Sequence, residues 1–168
     1  MRHALLMMLS TLALAGAVPA GAQPRGPTCS ISAYYLNGAR LTVRAGPAAN
    51  ARALRTRAYQ GSPVAEIVGQ SGGWFRVSRI TDYEDGTVLF QGNGWVPVAS
   101  LGTSIANADP RLYARPSRQS RRLARLVPDG SQVTLLGCAG NWAQVRFRRQ
   151  VGWLSRGGQC SNPLTTCP

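Results

Sequence analysis

The chain has 168 residues, with 19 basic against 6 acidic side chains and a formal net charge of +13 at pH 7. Every basic side chain is Arg, and a surplus of this size favours attraction to polyanions. The absence of Lys excludes Ser–Lys and Schiff-base chemistry, and His3 is the only imidazole available for general-base catalysis or metal ligation.

The first 22 residues have the features of a secretory signal peptide. Residues 1–3 are short and basic, residues 4–15 are almost wholly apolar, and residues 20–22 read Ala-Gly-Ala, a pattern that signal peptidase cleaves. A membrane-spanning helix needs about 20 continuous apolar residues, but Ser10 and Pro19 interrupt this run. We therefore expect cleavage after residue 22, loss of the only imidazole, and an exported product, periplasmic or secreted, without a membrane span.

All four cysteines lie in the part that follows the predicted cleavage site, at positions 29, 138, 160 and 167. An even number of cysteines in an oxidising compartment favours two disulfides, and three pairings are possible. A zinc site would need a compact ligand pair such as C-x-x-C, which the sequence lacks. We expect disulfides and no bound metal.

In chain order, a Pro/Gly-containing extended segment (23–33) leads into β-prone runs separated by turns. The runs of the first region are predicted strands at 41–44, 64–68, 74–80, 87–90 and 94–98. Asp85-Gly86 predicts a tight hairpin, because Asp-Gly accepts the positive φ that such turns need. The runs of the second region are predicted strands at 112–116, 133–136, 142–148 and 152–154. The predicted boundaries are a first domain at 34–102, a polar linker at 103–109 and a second domain at 110–168.

One sequence pattern occurs twice. Residues 64–77 read VAEIVGQSGGWFRV and residues 132–145 read QVTLLGCAGNWAQV. Each is an apolar strand, a Gly-containing turn, a Trp and a second strand, and Gly-Trp pairs follow at 94–95 and 152–153. A repeat of this kind predicts two copies of one small β domain.

These motifs resemble the bacterial SH3-like domain (SH3b). The resemblance rests on L-T-V-R-A-G-P at 41–47, on the Gly-to-Trp turn and strand at 67–77, and on G-W-V at 94–96. The second copy keeps the turn, the Trp and the Gly-Trp pair but reads L-Y-A-R-P at 112–116. The resemblance implies an all-β protein of two tandem small SH3-like β-barrels, from a family whose members are thought to recognise peptidoglycan or peptides and often accompany cell-wall hydrolases.

The resemblance also implies where a ligand groove opens. Trp74 and Trp142 begin the strand after the Gly-bearing turn, beside the expected groove, and Tyr113 is a candidate for its lining. Trp95 and Trp153, which follow Gly and begin an apolar strand, are interpreted as core residues because their large area suits a small core.

Basic residues are unevenly distributed. Residues 34–102 hold seven Arg and four acids (+3), whereas residues 103–168 hold ten Arg and two acids (+8). The candidate basic contacts are Arg118, Arg121, Arg122, Arg125, Arg146 and Arg148. They form either an ordinary solvated face, a surface for phosphate or carboxylate ligands that suit the guanidinium fork, or a docking place for the acidic hairpin of Asp82, Glu84 and Asp85.

The resemblance implies a disulfide pairing as well. In an SH3-like barrel the segments carrying Cys138 and Cys160 both border the groove, within the Cα separation of about 4.4–6.8 Å that a disulfide tolerates. The predicted pairs are therefore Cys138–Cys160 and Cys29–Cys167.

We expect a non-catalytic binding module without a cofactor. Its expected ligand is a cell-envelope component, either a peptidoglycan peptide or an anionic wall polymer. The alternative is a protein–protein adaptor of a secreted or periplasmic complex that binds an extended peptide segment. Nucleic acid is not an expected partner, because the sequence lacks an interleaved basic and aromatic strand face for base stacking.

Overall fold

The computed structural model describes residues 26–36, 40–58, 61–127, 132–162, 164 and 167. The predicted signal peptide lies outside the described residues. Every regular element within these ranges is a β-strand or a one-turn 3-10 helix, which confirms the all-β prediction. No helix in this part of the chain is long and apolar enough to cross a membrane.

The strands fall into two groups along the chain. The first group is β1 (Thr28–Tyr35), β2 (Leu41–Arg44), β3 (Ala53–Arg57), β4 (Pro63–Ser71), β5 (Trp74–Asp82), β6 (Val88–Pro97) and β7 (Leu101–Ile105). The second group is β8 (Arg111–Tyr113), β9 (Arg122–Arg125), β10 (Gln132–Ala139), β11 (Trp142–Phe147), β12 (Gln150–Leu154) and β13 (Gln159–Cys160). One 3-10 helix, Val98–Ser100, lies between β6 and β7, and another, Arg156–Gly158, precedes β13.

The described strands form one continuous antiparallel sheet, and the sheet is not closed. Its order is β3-β2-β6-β5-β4-β1-β7-β10-β11-β12-β8-β9, with β13 paired to β7. The two predicted tandem SH3-like units are therefore joined in one sheet. The two halves share β7, which pairs with β1 and β13 along one edge and with β10 along the other.

The two halves repeat the same strand pairing. In the first half β1 pairs with β4 and β7, and in the second half β7 pairs with β10 and β13. Both halves contain a three-stranded meander, β4–β5–β6 in the first and β10–β11–β12 in the second. The last strand of each meander pairs with a short strand: β6 pairs with β2, and β12 pairs with β8. Strand β7 is therefore the last strand of the first half and also takes the place of the first strand in the second half.

Equivalent hairpins follow β2 and β8. The backbone N–H of Ala45 donates to the carbonyl oxygen of Arg52, and that of Ala114 donates to Arg121, both at 2.9 Å. Each hairpin returns as a strand at a free end of the sheet, β3 in the first half and β9 in the second.

The glycine of each Gly-Trp pair lies under a crossing strand. A Cβ on Gly94 would overlap the side chain of Val43, and a Cβ on Gly152 would overlap that of Leu112. Val43 and Leu112 lie at matching places in β2 and β8, and both are fully buried. The repeated Gly is therefore a packing requirement that the two halves share.

Residues 103–109 are not the polar linker that the sequence predicts. All five residues of β7 are buried, although Thr103 and Ser104 are polar. The Thr103 hydroxyl donates to the carbonyl oxygen of Cys160 at 2.9 Å, and Ser104 Oγ lies 2.8 Å from the Tyr34 hydroxyl. Burial of these hydroxyls costs little because each is hydrogen-bonded.

Two disulfides are present, but the predicted pairing is wrong. The pairs are Cys29–Cys138, with Cα atoms 5.7 Å apart, and Cys160–Cys167, with Cα atoms 5.4 Å apart. The first pair forms because β1 runs beside the turn after β10: the N–H of Ser30 donates to Gly140 O at 2.7 Å. The predicted extended segment at 23–33 thus includes the start of a paired strand.

The predicted Cys138–Cys160 bond fails because the two residues lie at different places along the sheet. Cys160 pairs with Ser104 across one edge of β7, and Gln132 pairs with Ser104 across the other. Cys138 is six residues beyond Gln132 on β10, past the register shift between Leu135 and Gly137, where it is bonded to Cys29.

Candidate ligand-binding groove

A groove of about 490 Å³ opens on the first half of the molecule. Its walls come from the chain before and within β1, the hairpin after β2, the end of β4, and side chains of β5 and β6. The lining residues are Gly26, Thr28, Ala45, Gly46, Pro47, Gly69, Gln70, Ser71, Arg76 and Trp95.

Trp95 lies at this groove and is half-buried, so its interpretation as a core residue is wrong. Strand alternation explains the position: Val96 is fully buried, and its neighbour in β6 therefore points to the opposite face. Trp153 is likewise half-buried, next to the fully buried Leu154. In both strands the alternation of apolar residues in the sequence already indicated that the Trp side chain faces outward.

Arg76 supplies a charged side chain to the groove. It is exposed, pairs with Trp95 across β5 and β6, and its guanidinium lies against Gly69, where a Cβ would come within 3.3 Å of Nε. On the other side of Trp95, Arg44 pairs with it from β2 and donates to the carbonyl oxygen of Ala51 at 2.8 Å. Trp95 is thus flanked by two Arg, one of them tied to the hairpin.

The described residues that line the groove include no acid. The ion pairs of the described residues both involve Asp109, so Arg76 is not neutralised by a carboxylate in this part of the chain. The described walls of the groove thus combine an aromatic plane, a guanidinium without a carboxylate partner and glycine backbone.

The three aromatic residues that the sequence nominated lie elsewhere. Trp74 is half-buried and pairs with Pro97, and it is not part of the groove lining. Trp142 is also half-buried and contacts Tyr113 edge to face, with ring centroids 5.4 Å apart. Tyr113 is only 2 % exposed, so its ring is not an accessible ligand contact.

Tyr113 belongs to a buried polar centre around Asp109. The Asp109 carboxylate is 3 % exposed and accepts hydrogen bonds from Ser155 Oγ at 2.6 Å, Arg111 Nη1 at 3.0 Å and the Tyr113 hydroxyl at 3.2 Å. Arg118 Nε lies 3.8 Å away. Sequence patterns alone did not indicate this centre, because Asp109 falls in the predicted linker.

The electrostatics of this centre keep Asp109 ionised. Burial alone would raise the pKa of Asp109, but the hydrogen bonds from Ser155, Arg111 and Tyr113 and the charge of Arg118 bring it below its usual value. Asp109 is therefore a structural anion. No three His, Cys, Asp or Glu side chains in the described ranges are arranged to hold a metal ion.

The candidate Arg residues do not form one patch. Arg118, Arg121, Arg122 and Arg125 are exposed in and after the hairpin that ends in β9, whereas Arg146 and Arg148 are exposed on and after β11. Strands β12 and β8 separate β9 from β11, a distance of three inter-strand spacings of about 4.8 Å each. The Arg148 guanidinium packs over the ring of Phe147, 5.2 Å from its centroid.

The carboxylates of the acidic hairpin accept hydrogen bonds from backbone N–H groups in and beside their own turn. Asp82 accepts from the backbone N–H groups of Ser62 and Glu84, and Asp85 accepts from the N–H of Thr87 at 2.8 Å. In the part of the chain that the structure describes, neither ion pair involves this hairpin. Docking of the hairpin on the Arg residues of the second half is therefore not observed there.

Comparisons with known proteins give one family and one solved structure. Residues 108–158 match the family described as "Bacterial SH3 domain", a range that contains β8 to β12 and the second 3-10 helix. The resemblance to this family is thus confirmed for the second half, and the copy at 34–102 stays a prediction. No curated protein matches the chain.

The solved structure is described as "Structure of NlpC2 from Trichomonas vaginalis". It aligns with 76 % of this chain at 19 % identity, with a TM-score of 0.32. The aligned part spans 46 % of that protein's length, less than half. A TM-score this low carries no conclusion about this chain.

Proposed function

We propose that this chain is an exported, non-catalytic binding module that recognises a cell-envelope ligand, a peptidoglycan peptide in preference to an anionic wall polymer. The observation that carries the proposal is the acid-free groove with Trp95 and Arg76 on its walls. An aromatic plane beside a guanidinium suits an extended peptide that bears a carboxylate.

The groove favours a short peptide over a long polymer. Its volume, about 490 Å³, is within the range of about 300–1,000 Å³ typical of small-ligand sites. Its walls carry one large aromatic side chain, Trp95, and one charged side chain, Arg76, so the groups that could hold a ligand lie close together. A polymer would instead be expected to follow the dispersed Arg residues of the second half.

The proposal includes two bacterial SH3-like units, one in each half. Residues 108–158 match the family, and the first half has the same strand pairing, the same hairpin hydrogen bond and the same glycine under a crossing strand. The shared strand β7 makes these units one body, so we treat the groove of the first half as a property of the whole chain.

Non-catalytic action is supported by the residue inventory and by the state of Asp109. The only imidazole is His3, within the proposed signal peptide, and the chain has no Lys. Asp109 is buried, its pKa is lowered, and its oxygens are occupied by hydrogen bonds, so it is a poor general acid or base. Export is supported by two disulfides, which persist in oxidising compartments.

Retention of the purified protein on insoluble peptidoglycan tests the proposal. At low salt we expect Trp95→Ala to weaken retention about tenfold or more, because it removes the aromatic wall. Arg76→Gln should weaken it less and make the remaining binding less sensitive to salt. Trp153→Ala, the matched change in the second half, should retain wild-type binding. Equal retention of the wild-type and Trp95→Ala proteins would refute the proposal that this groove binds peptidoglycan.

The alternative is a protein–protein adaptor that binds an extended segment. One feature favours it: β3 lies at a free end of the sheet and all five of its residues are exposed, so a partner strand can add there. An adaptor should show no retention on peptidoglycan and should capture one partner protein whether or not Trp95 is present.

A further inference from the structure

A second cavity, of about 440 Å³, lies where the two halves of the molecule meet. The first half supplies strands β1, β4 and β5, and the second half supplies the turn after β10, the second 3-10 helix and the residues around β13. The lining residues are Cys29, Ser30, Ile31, Ser32, Glu66, Ile67, Val68, Ser78, Asn141, Arg156, Gln159 and Ser161.

The two walls of this cavity are fixed to each other. The Cys29–Cys138 disulfide joins β1 to β10, and the backbone groups of Ser30 and Gly140 are hydrogen-bonded at 2.7 Å. The Gln70 amide adds a further bond, accepting from the N–H of Cys138 at 3.0 Å. The cavity is therefore largely pre-formed, which reduces the ordering cost of binding a ligand.

Glu66 supplies a carboxylate on the first wall. Ser78 Oγ donates to Glu66 Oε2 at 3.3 Å, which helps to orient the carboxylate. Arg79 is its cross-strand neighbour, yet the ion pairs of the described residues do not include Glu66. Arg79 Nε is itself buried without a hydrogen-bond partner. The charge on Glu66 is therefore available to a ligand.

Arg156 and Gln159 supply complementary groups on the second wall. Arg156 is exposed and takes part in neither ion pair of the described residues. The amide nitrogen of Gln159 donates to the carbonyl oxygens of Asn141 and Leu154, at 2.9 and 3.1 Å. Its donors are thus occupied, and its carbonyl oxygen remains as an acceptor.

We propose that this cavity binds a small zwitterion of amino-acid or dipeptide size. The ammonium of the ligand pairs with Glu66 and its carboxylate pairs with Arg156, since each group is charged, lines the cavity and lacks an ionic partner among the described residues. The serine hydroxyls can donate or accept the remaining hydrogen bonds of the ligand, and the Gln159 carbonyl oxygen can accept one. None of the described lining residues is aromatic, so charge pairing and hydrogen bonding, without ring stacking, carry the recognition.

This site is independent of the groove at Trp95. Among the described residues the two cavities have different linings, and Glu66 lines this cavity whereas the described lining of the groove has no acid. A ligand with a carboxylate but no ammonium suits the groove, and a ligand with both groups suits this cavity. The two proposals can therefore fail separately.

Nuclear magnetic resonance titration of the disulfide-bonded protein with glycylglycine tests the proposal. We expect saturable shifts of the backbone amides of Ser30, Ser32, Asn141 and Gln159. N-acetylglycylglycine lacks the ammonium and glycylglycinamide lacks the carboxylate, so each should bind about tenfold or more weakly than glycylglycine.

Two variants assign the two ends of the ligand. The Glu66→Gln protein should bind glycylglycine about tenfold more weakly than wild type, and it should bind N-acetylglycylglycine and glycylglycine with equal affinity. The Arg156→Gln protein should also bind glycylglycine about tenfold more weakly, and it should bind glycylglycinamide and glycylglycine with equal affinity. Glu84→Gln and Arg149→Gln, matched changes at exposed residues outside the cavity, should bind as wild type. Three results would overturn the proposal: no saturable shift at these amides, equal affinity for the three ligands, or unchanged discrimination in both variants.

Discussion

The two halves have the same strand plan but place different side chains at one equivalent point. In the first half Trp95 lies between Arg44 and Arg76, and this surface is part of an open groove. In the second half Trp153 lies between Tyr113 and Gln144. Tyr113 turns inward to Asp109 and packs against Trp142. The same strand plan therefore carries Arg beside Trp in the first half and Tyr and Gln beside Trp in the second.

The first half also covers part of the second. Gln70 extends to β10, where its amide nitrogen donates to Leu136 O at 3.3 Å and its oxygen accepts from Cys138 N at 3.0 Å. A Cβ on Gly137 would meet this side chain. The corresponding Gly69 in the first half has Arg76 beside it and borders the groove. The two halves thus differ in accessibility because one half lies over the other.

The largest expected effect concerns the Cys29–Cys138 disulfide, which joins the two halves. Replacing Cys29 and Cys138 by Ser opens a loop of 109 residues and should lower the free energy of unfolding by about 4–5 kcal/mol. The matched double change at Cys160 and Cys167 opens a loop of 7 residues and should cost about 2 kcal/mol. Denaturant unfolding at constant pH measures both. Equal losses, or a wild-type transition that splits into two, would contradict the view that the halves form one body.

The likeness of the halves is tested at the two glycines beneath crossing strands. Gly94→Ala and Gly152→Ala should each lower the free energy of unfolding by about 2–3 kcal/mol, because the new methyl overlaps Val43 or Leu112. Gly73→Ala is the matched control, since a Cβ there has no atom within 4 Å. Thermal or chemical unfolding should find the control within about 0.5 kcal/mol of wild type. A large loss of stability in only one of the two glycine variants would contradict the structural equivalence of the halves.

The difference between the halves is tested at Asp109, which is specific to the second half. Asp109→Asn should lower the free energy of unfolding by about 2 kcal/mol at pH 7, because charge-assisted hydrogen bonds are lost. The folded-state pKa of Asp109 is lowered, so its stabilisation is complete above the usual Asp pKa and is lost as the pH falls through the folded value. The variant should therefore show a flatter decline of stability in acid than wild type.

Ser155→Ala provides a graded comparison for the same centre. It removes one hydrogen bond to Asp109 and should raise the pKa of that carboxyl towards its usual value. The loss of stability in acid that is linked to Asp109 should then be smaller than in wild type and should end at a higher pH. An Asp109→Asn protein with the acid sensitivity of wild type would show that this centre does not hold a stabilising anion.

The smallest expected effect concerns the side chain that covers β10. Gln70→Ala removes two hydrogen bonds to the backbone of the second half and should cost about 1 kcal/mol. Gln119→Ala, at an exposed position of the hairpin before β9, is the matched control. Amide hydrogen exchange should report faster exchange at Cys138 in the first variant only. Unchanged exchange at Cys138 would show that Gln70 does not protect the second half.

Local sequence patterns predicted the meanders and the hairpins well. The expected strands at 64–68 and 74–80 fall within β4 and β5, and those at 133–136 and 142–148 mark β10 and β11. These elements are set by alternation of apolar residues and by turn chemistry, which are short-range features. The repeat of Gly-Trp pairs correctly indicated equivalent places in the two halves.

Features that depend on distant partners were not predictable in the same way. Thr103 and Ser104 read as linker because their burial depends on Cys160 and Tyr34, far away in the chain. The disulfide pairing followed from the position of β1, which the sequence analysis treated as an extended segment. Trp95 is different: alternation with buried Val96 placed it on the outer face, and that signal was present in the sequence.

The most direct test of the account follows the two Trp indole N–H signals during titration with a soluble peptidoglycan stem peptide. Trp95 and Trp153 are matched positions in one molecule, so each is the control for the other. We expect a saturable shift of the Trp95 indole and no saturable shift of the Trp153 indole. A response at Trp153 alone, or at neither indole, would contradict the claim that the first half carries the ligand groove.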